Sequence, residues 1–305
     1  MKIGFAGAGA IGCHYGSKLQ QAGFDVLLLA RGKHLSALQR NGLRHESDGE
    51  TQIIPINTCA DITHLKPCQI IIISCKMTGL TAMLSALQGI IQPDTMLVSL
   101  QNGVEAPDRI AAAFAHNSVV AGTAFIGARL ERPGHVIHSA AGGIRLGLWQ
   151  QGSSDHLLAL LIEAFQHANV AARIDADPAA MLWRKLLWNC GFNAITAITR
   201  RHARDMAAHA DTLITVQQAM QETVRLAQTR GINIGATDIS KHIEITLAMG
   251  PVKTSMWQDI EAGRPTEVDY INGYVATQTT HAQSTAPVNQ TLTSLIHAIE
   301  ARHDS

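Results

Sequence analysis

Three polar side chains recur at every fourth position of an otherwise apolar segment. Lys185, Asn189 and Asn193 stand at i, i+4 and i+8, so a helix places them on one face. An ammonium can donate a proton or stabilise a developing negative charge, and amides can donate and accept hydrogen bonds. Large apolar residues fill most other positions from Met181 to Ile195, which predicts a stripe lining a cleft. The alternative is a solvated face of an amphipathic helix, for which asparagine is a poor choice.

The N-terminal segment has glycines at the spacing of a dinucleotide-binding loop. An apolar run from Ile3 to Ala6 precedes them and a helical pattern follows, so backbone N–H groups and the helix N-terminus can face a diphosphate. A glycine-rich turn without a ligand is the alternative. The predicted cofactor-binding loop consists of Gly7, Ala8, Gly9, Ala10, Ile11 and Gly12.

The residue after the second predicted strand indicates which dinucleotide is bound. An acid at this position would hydrogen-bond the 2′-hydroxyl of NAD, whereas the strand from Val26 to Ala30 is followed by Arg31. A guanidinium pairs with a 2′-phosphate, and Lys33 adds charge, so the sequence predicts NADP(H). A solvated arginine at the end of a strand is the alternative.

Two further polar residues follow predicted strands. Lys76 comes after the run from Ile70 to Ser74, and Asn102 comes after the run from Met96 to Leu100. Ligands of open parallel sheets bind at the carboxyl ends of the strands. We therefore expect Lys76 to meet charged groups of the cofactor, and Asn102 to reach the nicotinamide ribose or the substrate.

The elements that position these residues form two predicted domains. The first, residues 1–172, alternates short apolar runs with helical patterns, which indicates an α/β Rossmann-type domain with a parallel sheet. The second, residues 173–305, is predicted to be all-α and to bind substrate. Further strands are predicted at Val119 to Ile126, Val136 to His138 and Ile144 to Leu148, separated by turns at Arg132-Pro133-Gly134 and Ala141-Gly142-Gly143.

Capping and stop signals outline the helices of the second domain. Asp177-Pro178 is typical of a helix start, and Gly231, Gly250-Pro251 and Gly263 are typical of helix ends. The predicted helices run from Pro178 past Asn193, Asp211 to Arg230, Asp238 to Met249, Thr266 to Thr280 and Pro287 to Arg302.

Composition excludes several classes of protein. The 305 residues include 24 Lys and Arg against 24 Asp and Glu, so the basic face that binds nucleic acid is not expected. The histidines lack the helical spacing of a metal site, and we expect no metal. Five cysteines without a C-x-x-C pair, and no apolar run of membrane-spanning length, favour a cytoplasmic protein without a membrane partner. A homodimer is compatible with the sequence, which does not decide the oligomeric state.

Taken together, these motifs resemble the ketopantoate reductase (2-dehydropantoate 2-reductase) family over nearly the full chain. The resemblance implies NADPH-dependent reduction of 2-dehydropantoate to (R)-pantoate, a step toward pantothenate and coenzyme A. It implies that Lys185 is the proton donor. The motifs that carry it are Lys2 to Gly12 with Arg31, Ser99 to Gly103, Trp183 to Asn189 with Asn193, Ser255-Met256, and Thr266 to Gly273.

The resemblance also assigns the remaining site residues. Asn189, Asn193 and Ser255 match substrate-binding positions, and Asn102 matches a position close to both substrate and cofactor. Ala128 and Glu267 match cofactor-contacting positions. Burial would lower the pKa of Lys185 and a carboxylate such as Glu267 would raise it, a balance the sequence leaves open.

Two departures from the family weaken the assignment of the substrate. Some relatives carry a substrate-contacting asparagine after the catalytic helix, and the segment from Thr199 to Ala203 contains none. Val252, three residues before Ser255, occupies a position where some relatives carry asparagine. Another branched 2-oxo acid is therefore an alternative substrate. A non-catalytic NADP-binding sensor or regulatory protein is a second alternative, which requires the stripe of Lys185, Asn189 and Asn193 to be idle.

Overall fold

The computed structural model describes residues 1–47, 49–281 and 284–301. It divides the chain into two compact units. The first comprises Met1–Gln101 and Glu105–Pro178, and the second comprises Asn102–Val104 and the described chain from Ala179 onward. The division falls a few residues beyond the boundary predicted after residue 172, and the strand Ala172–Ile174 pairs with the sheet of the first unit.

The first unit alternates strands and helices, as its apolar runs predict. Its helices are α1 (Ala10–Gln21), α2 (Gly32–Asn41), α3 (Leu80–Leu87), α4 (Ala106–Ala113) and α5 (Leu157–His167). Its strands are β1 (Lys2–Ala6), β2 (Asp25–Leu29), β3 (Leu43–Ser47), β4 (Glu50–Ile54), β5 (Thr58–Cys59), β6 (Ile70–Ile73), β7 (Met96–Ser99), β8 (Val119–Arg132), β9 (His135–Gln150) and β10 (Ala172–Ile174).

These strands form one mostly parallel sheet. Its order is β4-β3-β9-β8-β7-β6-β1-β2-β5, with β10 paired to β9. Within the described chain, only the pairs β3–β4 and β8–β9 are antiparallel. Central β6 consists of four isoleucines that are each at most 1% exposed, which is typical of a parallel strand covered on both faces. The α/β class predicted from the sequence is confirmed.

The strands β8 and β9 form one long hairpin, whose turn lies at the predicted Arg132-Pro133-Gly134. The prediction of a second turn, at Ala141-Gly142-Gly143, is wrong, because β9 continues through these residues. The register shifts there and leaves Gly142 without a partner on β8, so the segment is a bulge. Ala141 and Gly142 have φ values of 56° and 126°, the backbone conformation that the glycine accommodates.

From Pro178 onward the regular elements of the described chain are helical, in agreement with the predicted helical C-terminal region. Two short helices, α7 and α10, were not anticipated from the sequence. In chain order the helices are α6 (Pro178–Thr199), α7 (Ala203–Ala208), α8 (Ala210–Thr229), α9 (Ala236–Ala248), α10 (Ser255–Glu261), α11 (Asn272–His281) and α12 (Pro287–Glu300).

The helix predicted from Thr266 to Thr280 starts later than expected. The Thr266 hydroxyl accepts the Val268 N–H at 3.2 Å and closes a local turn, and a 3₁₀ turn at Val268–Tyr270 precedes α11. The predicted end of the last helix, Arg302, lies outside the described residues. None of the helices among the described residues has the length and hydrophobicity to cross a bilayer.

Candidate active site

The glycine loop lies between β1 and α1, and its glycines differ in what surrounds them. Gly7 has φ of 129°, and a Cβ there would lie 2.7 Å from the Cys75 nitrogen. A Cβ on Gly12 would collide with the Gly7 carbonyl oxygen. A Cβ on Gly9 would meet no atom within 4 Å. Gly7 and Gly12 therefore permit a tight turn, and Gly9 leaves open space beside the loop.

The start of α1 is suited to an anion. Ser74 donates its hydroxyl to the Gly7 carbonyl at 2.7 Å and fixes the loop to the segment after β6. No described side chain caps α1, and its first turn carries no acidic residue. The free N–H groups and the positive end of the helix dipole can therefore face a diphosphate. The loop fits the pyrophosphate of a dinucleotide.

A cavity of about 290 Å³ adjoins the loop at the ends of β2 and β6. Arg31 lines it, is exposed, and precedes α2. Among the described residues, no carboxylate forms an ion pair with the Arg31 guanidinium. The lining of the cavity comprises Gly7, Ala8, Leu29, Ala30, Arg31, His34, Cys75, Gly79, Ala82 and Met83.

His34 is a lining residue that the sequence analysis missed. Its Nδ1 accepts the Gly134 N–H at 3.0 Å, so the ring connects α2 to the turn of the β8–β9 hairpin. Burial lowers the pKa of His34, which favours the neutral ring that this hydrogen bond requires. An isolated histidine between Lys33 and Leu35 offers no sequence signal for this role.

Two predicted cofactor residues lie apart from this cavity lining. Lys76 is exposed and immediately precedes a 3₁₀ turn at Met77–Gly79. Ala128 is half-buried on β8, opposite His138 of β9. The contact of Lys76 with a cofactor remains a prediction from its place after a strand, and that of Ala128 remains a prediction from the resemblance.

In the second unit, α6 carries the polar stripe. Asn189 and Asn193 are 4% and 1% exposed, and Lys185 is half-buried. Within the described chain, the Asn189 Nδ2 and the Asn193 Oδ1 have no hydrogen-bond partner. A solvated face would not bury its amides, so the exposed-face alternative does not describe these two residues. Unpaired buried amide atoms are costly, and a site that binds a polar ligand accounts for them.

The surroundings of Lys185 act on its charge in opposite directions. Burial disfavours the ammonium, and the nearby Glu267 carboxylate favours it. Burial dominates and lowers the pKa of Lys185 to about 8. The balance that the sequence left open therefore favours a lysine that can release its proton near neutral pH.

Glu267 also anchors Asn102. The Asn102 amide donates to the Glu267 Oε2 at 2.9 Å, and Glu267 is largely buried. Gly103 has φ of 85°, and a Cβ there would lie 2.8 Å from the Tyr270 carbonyl oxygen. The loop Asn102–Val104 therefore packs closely on the segment around Glu267, which brings together two residues that are 165 positions apart.

Ser255 is the first residue of α10 and is exposed. No described residue hydrogen-bonds its hydroxyl. The preceding Thr254 is 4% exposed, and its Oγ1 caps the helix by accepting the Trp257 N–H at 3.4 Å. The cap fixes the backbone beside Ser255 and leaves the Ser255 hydroxyl free to meet a ligand.

Comparisons with known proteins agree on one family. A family model described as ketopantoate reductase PanE/ApbA matches residues 3–151, and the model of its C-terminal domain matches residues 177–300. A 2-dehydropantoate 2-reductase from Nostoc sp. is 28% identical over 276 residues, covering 89% of this chain and 86% of its own.

Solved structures share the fold over the whole chain. A PanE/ApbA family ketopantoate reductase from Ralstonia eutropha has a TM-score of 0.90 and 26% identity, with both chains covered completely. A ternary structure of D-mandelate dehydrogenase with NADH and anilino(oxo)acetate has the same TM-score, identity and coverage. Similar proteins therefore include oxidoreductases that are named for different substrates.

Proposed function

Because the chain belongs to the ketopantoate reductase family, we propose that it reduces 2-dehydropantoate to (R)-pantoate with NADPH, a step toward pantothenate and coenzyme A. The observation that carries the proposal is the polar stripe of α6, in which a lysine of lowered pKa shares a face with two buried, incompletely paired amides. An ammonium and amide donors are what a 2-oxo acid requires as its ketone becomes an alkoxide.

Lys185 is the proposed proton donor. When bound, a reduced nicotinamide supplies the hydride to the ketone carbon. The Lys185 Nζ stabilises the developing negative charge on the ketone oxygen and then transfers its proton to that oxygen. A pKa of about 8 suits this task, because the amine is protonated near neutral pH and gives up its proton readily.

The proposed substrate contacts come from Asn189, Asn193, Ser255 and Asn102. Each amide offers a donor and an acceptor, and the Ser255 hydroxyl offers either. Such a set can bind both the carboxylate and the hydroxyl of 2-dehydropantoate. Glu267 holds the Asn102 amide in place, and in this proposal it also contacts the cofactor.

Arg31 is the reason for proposing NADPH over NADH. Its guanidinium has no carboxylate partner among the described residues and lines the cavity next to the glycine loop. A 2′-phosphate bound there would pair with the guanidinium. Relatives do not all share this cofactor, since the D-mandelate dehydrogenase structure contains NADH. The choice therefore rests on Arg31 itself.

A second candidate function keeps the reaction type and changes the substrate to another branched 2-oxo acid. The segment that ends at Ala203, which is buried at the start of α7, lacks the asparagine that some family members carry after the catalytic helix. Half-buried Val252 precedes α10 at a position where some family members carry asparagine. The D-mandelate dehydrogenase relative is named for a different hydroxy acid. The cytoplasmic location, a homodimer and the alternative of a non-catalytic NADP sensor remain predictions from the sequence.

Steady-state assays separate these candidates. Purified protein is tested with NADPH and NADH against 2-dehydropantoate, 2-oxoisovalerate and benzoylformate. The proposal predicts the highest kcat/KM for 2-dehydropantoate with NADPH. A higher value for another 2-oxo acid would support the second candidate. If NADPH oxidation with each of the three acids is no faster than in buffer, both reductase functions are contradicted. The non-catalytic NADP-binding sensor is then the remaining candidate.

A further inference from the structure

Two buried threonine hydroxyls join α6 to the start of α10. The Thr196 Oγ1 and the Thr254 Oγ1 lie 2.7 Å apart, and the two residues are 0% and 4% exposed. They are 58 positions apart in sequence, and no sequence pattern pairs them.

The direction of the hydrogen bonds follows from the number of available protons. The Thr196 hydroxyl donates back into its own helix, to the Phe192 carbonyl at 2.7 Å with a longer branch of 3.0 Å to the Asn193 carbonyl. The Thr254 Oγ1 accepts the Trp257 N–H, so its own proton is free to go to the Thr196 Oγ1. Each donor in this chain has an acceptor, and the chain ends on the backbone of α6.

Both ends of this hydrogen-bond chain adjoin residues of the proposed substrate site. Thr254 precedes Ser255, and Thr196 lies three residues after Asn193. We propose that Thr196 and Thr254 are positioning residues, which hold the Ser255 hydroxyl at a fixed distance from the Asn193 amide and so set the affinity for the carboxylate of a 2-oxo acid. This inference rests on the proposed function.

The physical reason is preorganisation. Ser255 lies at the exposed end of a seven-residue helix, and fixing such an end only when substrate binds would cost conformational entropy. A buried hydroxyl pair fixes it in advance. Because a carboxylate contact is the same in substrate and transition state, its loss raises KM and leaves kcat nearly unchanged.

The test replaces Thr196 by valine, which keeps the shape and removes the hydroxyl. The variant retains Thr254 and hence the cap of α10. For the best 2-oxo acid, the expected result is a KM about tenfold higher, which is the loss of one good hydrogen bond, with kcat and the dissociation constant for NADPH within about threefold of wild type. Thr196→Ser keeps the hydroxyl and is expected to restore KM.

A matched control distinguishes positioning from general packing. Thr293 is also buried, and among the described residues its hydroxyl bonds only a carbonyl of its own helix, that of Asn289 at 2.8 Å. Thr293→Val is expected to leave KM near the wild-type value. If Thr196→Val does not fold, Thr254→Ala removes the same hydrogen bond from the other side together with the cap of α10, and a rise in KM at least as large is expected.

A double-mutant cycle with Ser255→Ala decides the matter. If Thr196 acts through Ser255, Thr196→Val adds little to the KM of Ser255→Ala. A further tenfold rise in the double variant, or an unchanged KM in Thr196→Val, would overturn the positioning role. If wild-type protein neither reduces nor binds any 2-oxo acid, the proposed function fails and this inference fails with it. If the wild-type enzyme is active but the two changes raise KM additively, only the positioning role fails.

Discussion

Two opposing influences act on the Lys185 ammonium, and the account depends on which is stronger. Burial lowers its pKa to about 8, and the Glu267 carboxylate works against burial. A general acid must carry its proton, so under the proposed mechanism the rate of reduction is expected to fall as pH rises through this range. The proposed mechanism gives Glu267 the role of keeping Lys185 protonated near neutral pH.

Glu267→Gln tests this electrostatic role. The change removes the carboxylate that raises the pKa of Lys185, so the basic limb of kcat/KM against pH is expected to move to lower pH. Asp269→Asn is the matched control, because Asp269 is exposed two residues away and pairs with His297. A limb that stays in place or moves to higher pH in Glu267→Gln would contradict the assignment.

Replacing Arg31 tests whether the protein prefers NADPH to NADH. Arg31→Ala removes the proposed partner of the 2′-phosphate, so NADPH is expected to bind about tenfold more weakly or worse, and NADH to be affected much less. The measurement is the quenching of protein fluorescence on titration with each cofactor. Arg40→Ala, in the last turn of the helix that follows Arg31, α2, is the control. Equal losses for NADPH and NADH would show that the 2′-phosphate is bound elsewhere.

Among the secondary-structure elements, α12 begins at a buried carboxylate from another helix. Glu222 of α8 is 3% exposed and accepts the backbone N–H groups of Val288 and Asn289, both at 2.9 Å. It also accepts the Asn289 side-chain amide at 2.7 Å. A carboxylate at a helix N-terminus satisfies free N–H groups and opposes the positive end of the dipole.

Glu222→Gln is therefore expected to destabilise the protein. The amide replaces one acceptor oxygen by a donor and removes the charge, so the free energy of unfolding should fall by about 2 kcal/mol. Denaturant unfolding followed by circular dichroism measures it. Glu244→Gln, an exposed position on α9, is expected to change stability by less than about 0.5 kcal/mol. Equal effects of the two changes would contradict the capping role.

Sequence patterns predicted the elements that carry the strongest periodicity. The strands β1, β2, β6 and β7 were predicted because buried parallel strands are continuous apolar runs, and α6 because its polar stripe repeats every four residues. The strand β4 was missed because it lies at the edge of the sheet with exposed residues, and β3 beside it was missed because polar residues interrupt its apolar run. The bulge at Gly142 resembles a turn in sequence, since both use glycine for a positive φ.

The candidate site was predictable to the extent that its residues recur at regular spacing or follow strands. The loop of Gly7, Gly9 and Gly12 has the geometry that its spacing predicts. The hydrogen bond between Asn102 and Glu267, and the hydroxyl pair of Thr196 and Thr254, join segments far apart in sequence and could not be predicted. Such contacts depend on tertiary packing, which no local pattern encodes.

The architecture of the whole molecule does not determine its substrate. Two structures with the same TM-score of 0.90 are named for ketopantoate and for D-mandelate, so the shared architecture does not select the 2-oxo acid. The predicted site residues are divided between the two units. The sheet unit carries the glycine loop and Arg31, and the helical unit carries Lys185, with the loop Asn102–Val104 grouped with the helices.

Replacing Lys185 by alanine tests whether the Lys185 Nζ donates the proton. If it does, kcat with 2-dehydropantoate and NADPH is expected to fall at least a hundredfold, while the dissociation constant for NADPH stays within about threefold of wild type. Lys241→Ala, an exposed lysine of α9, should retain full activity. A near-normal kcat in Lys185→Ala would contradict the account.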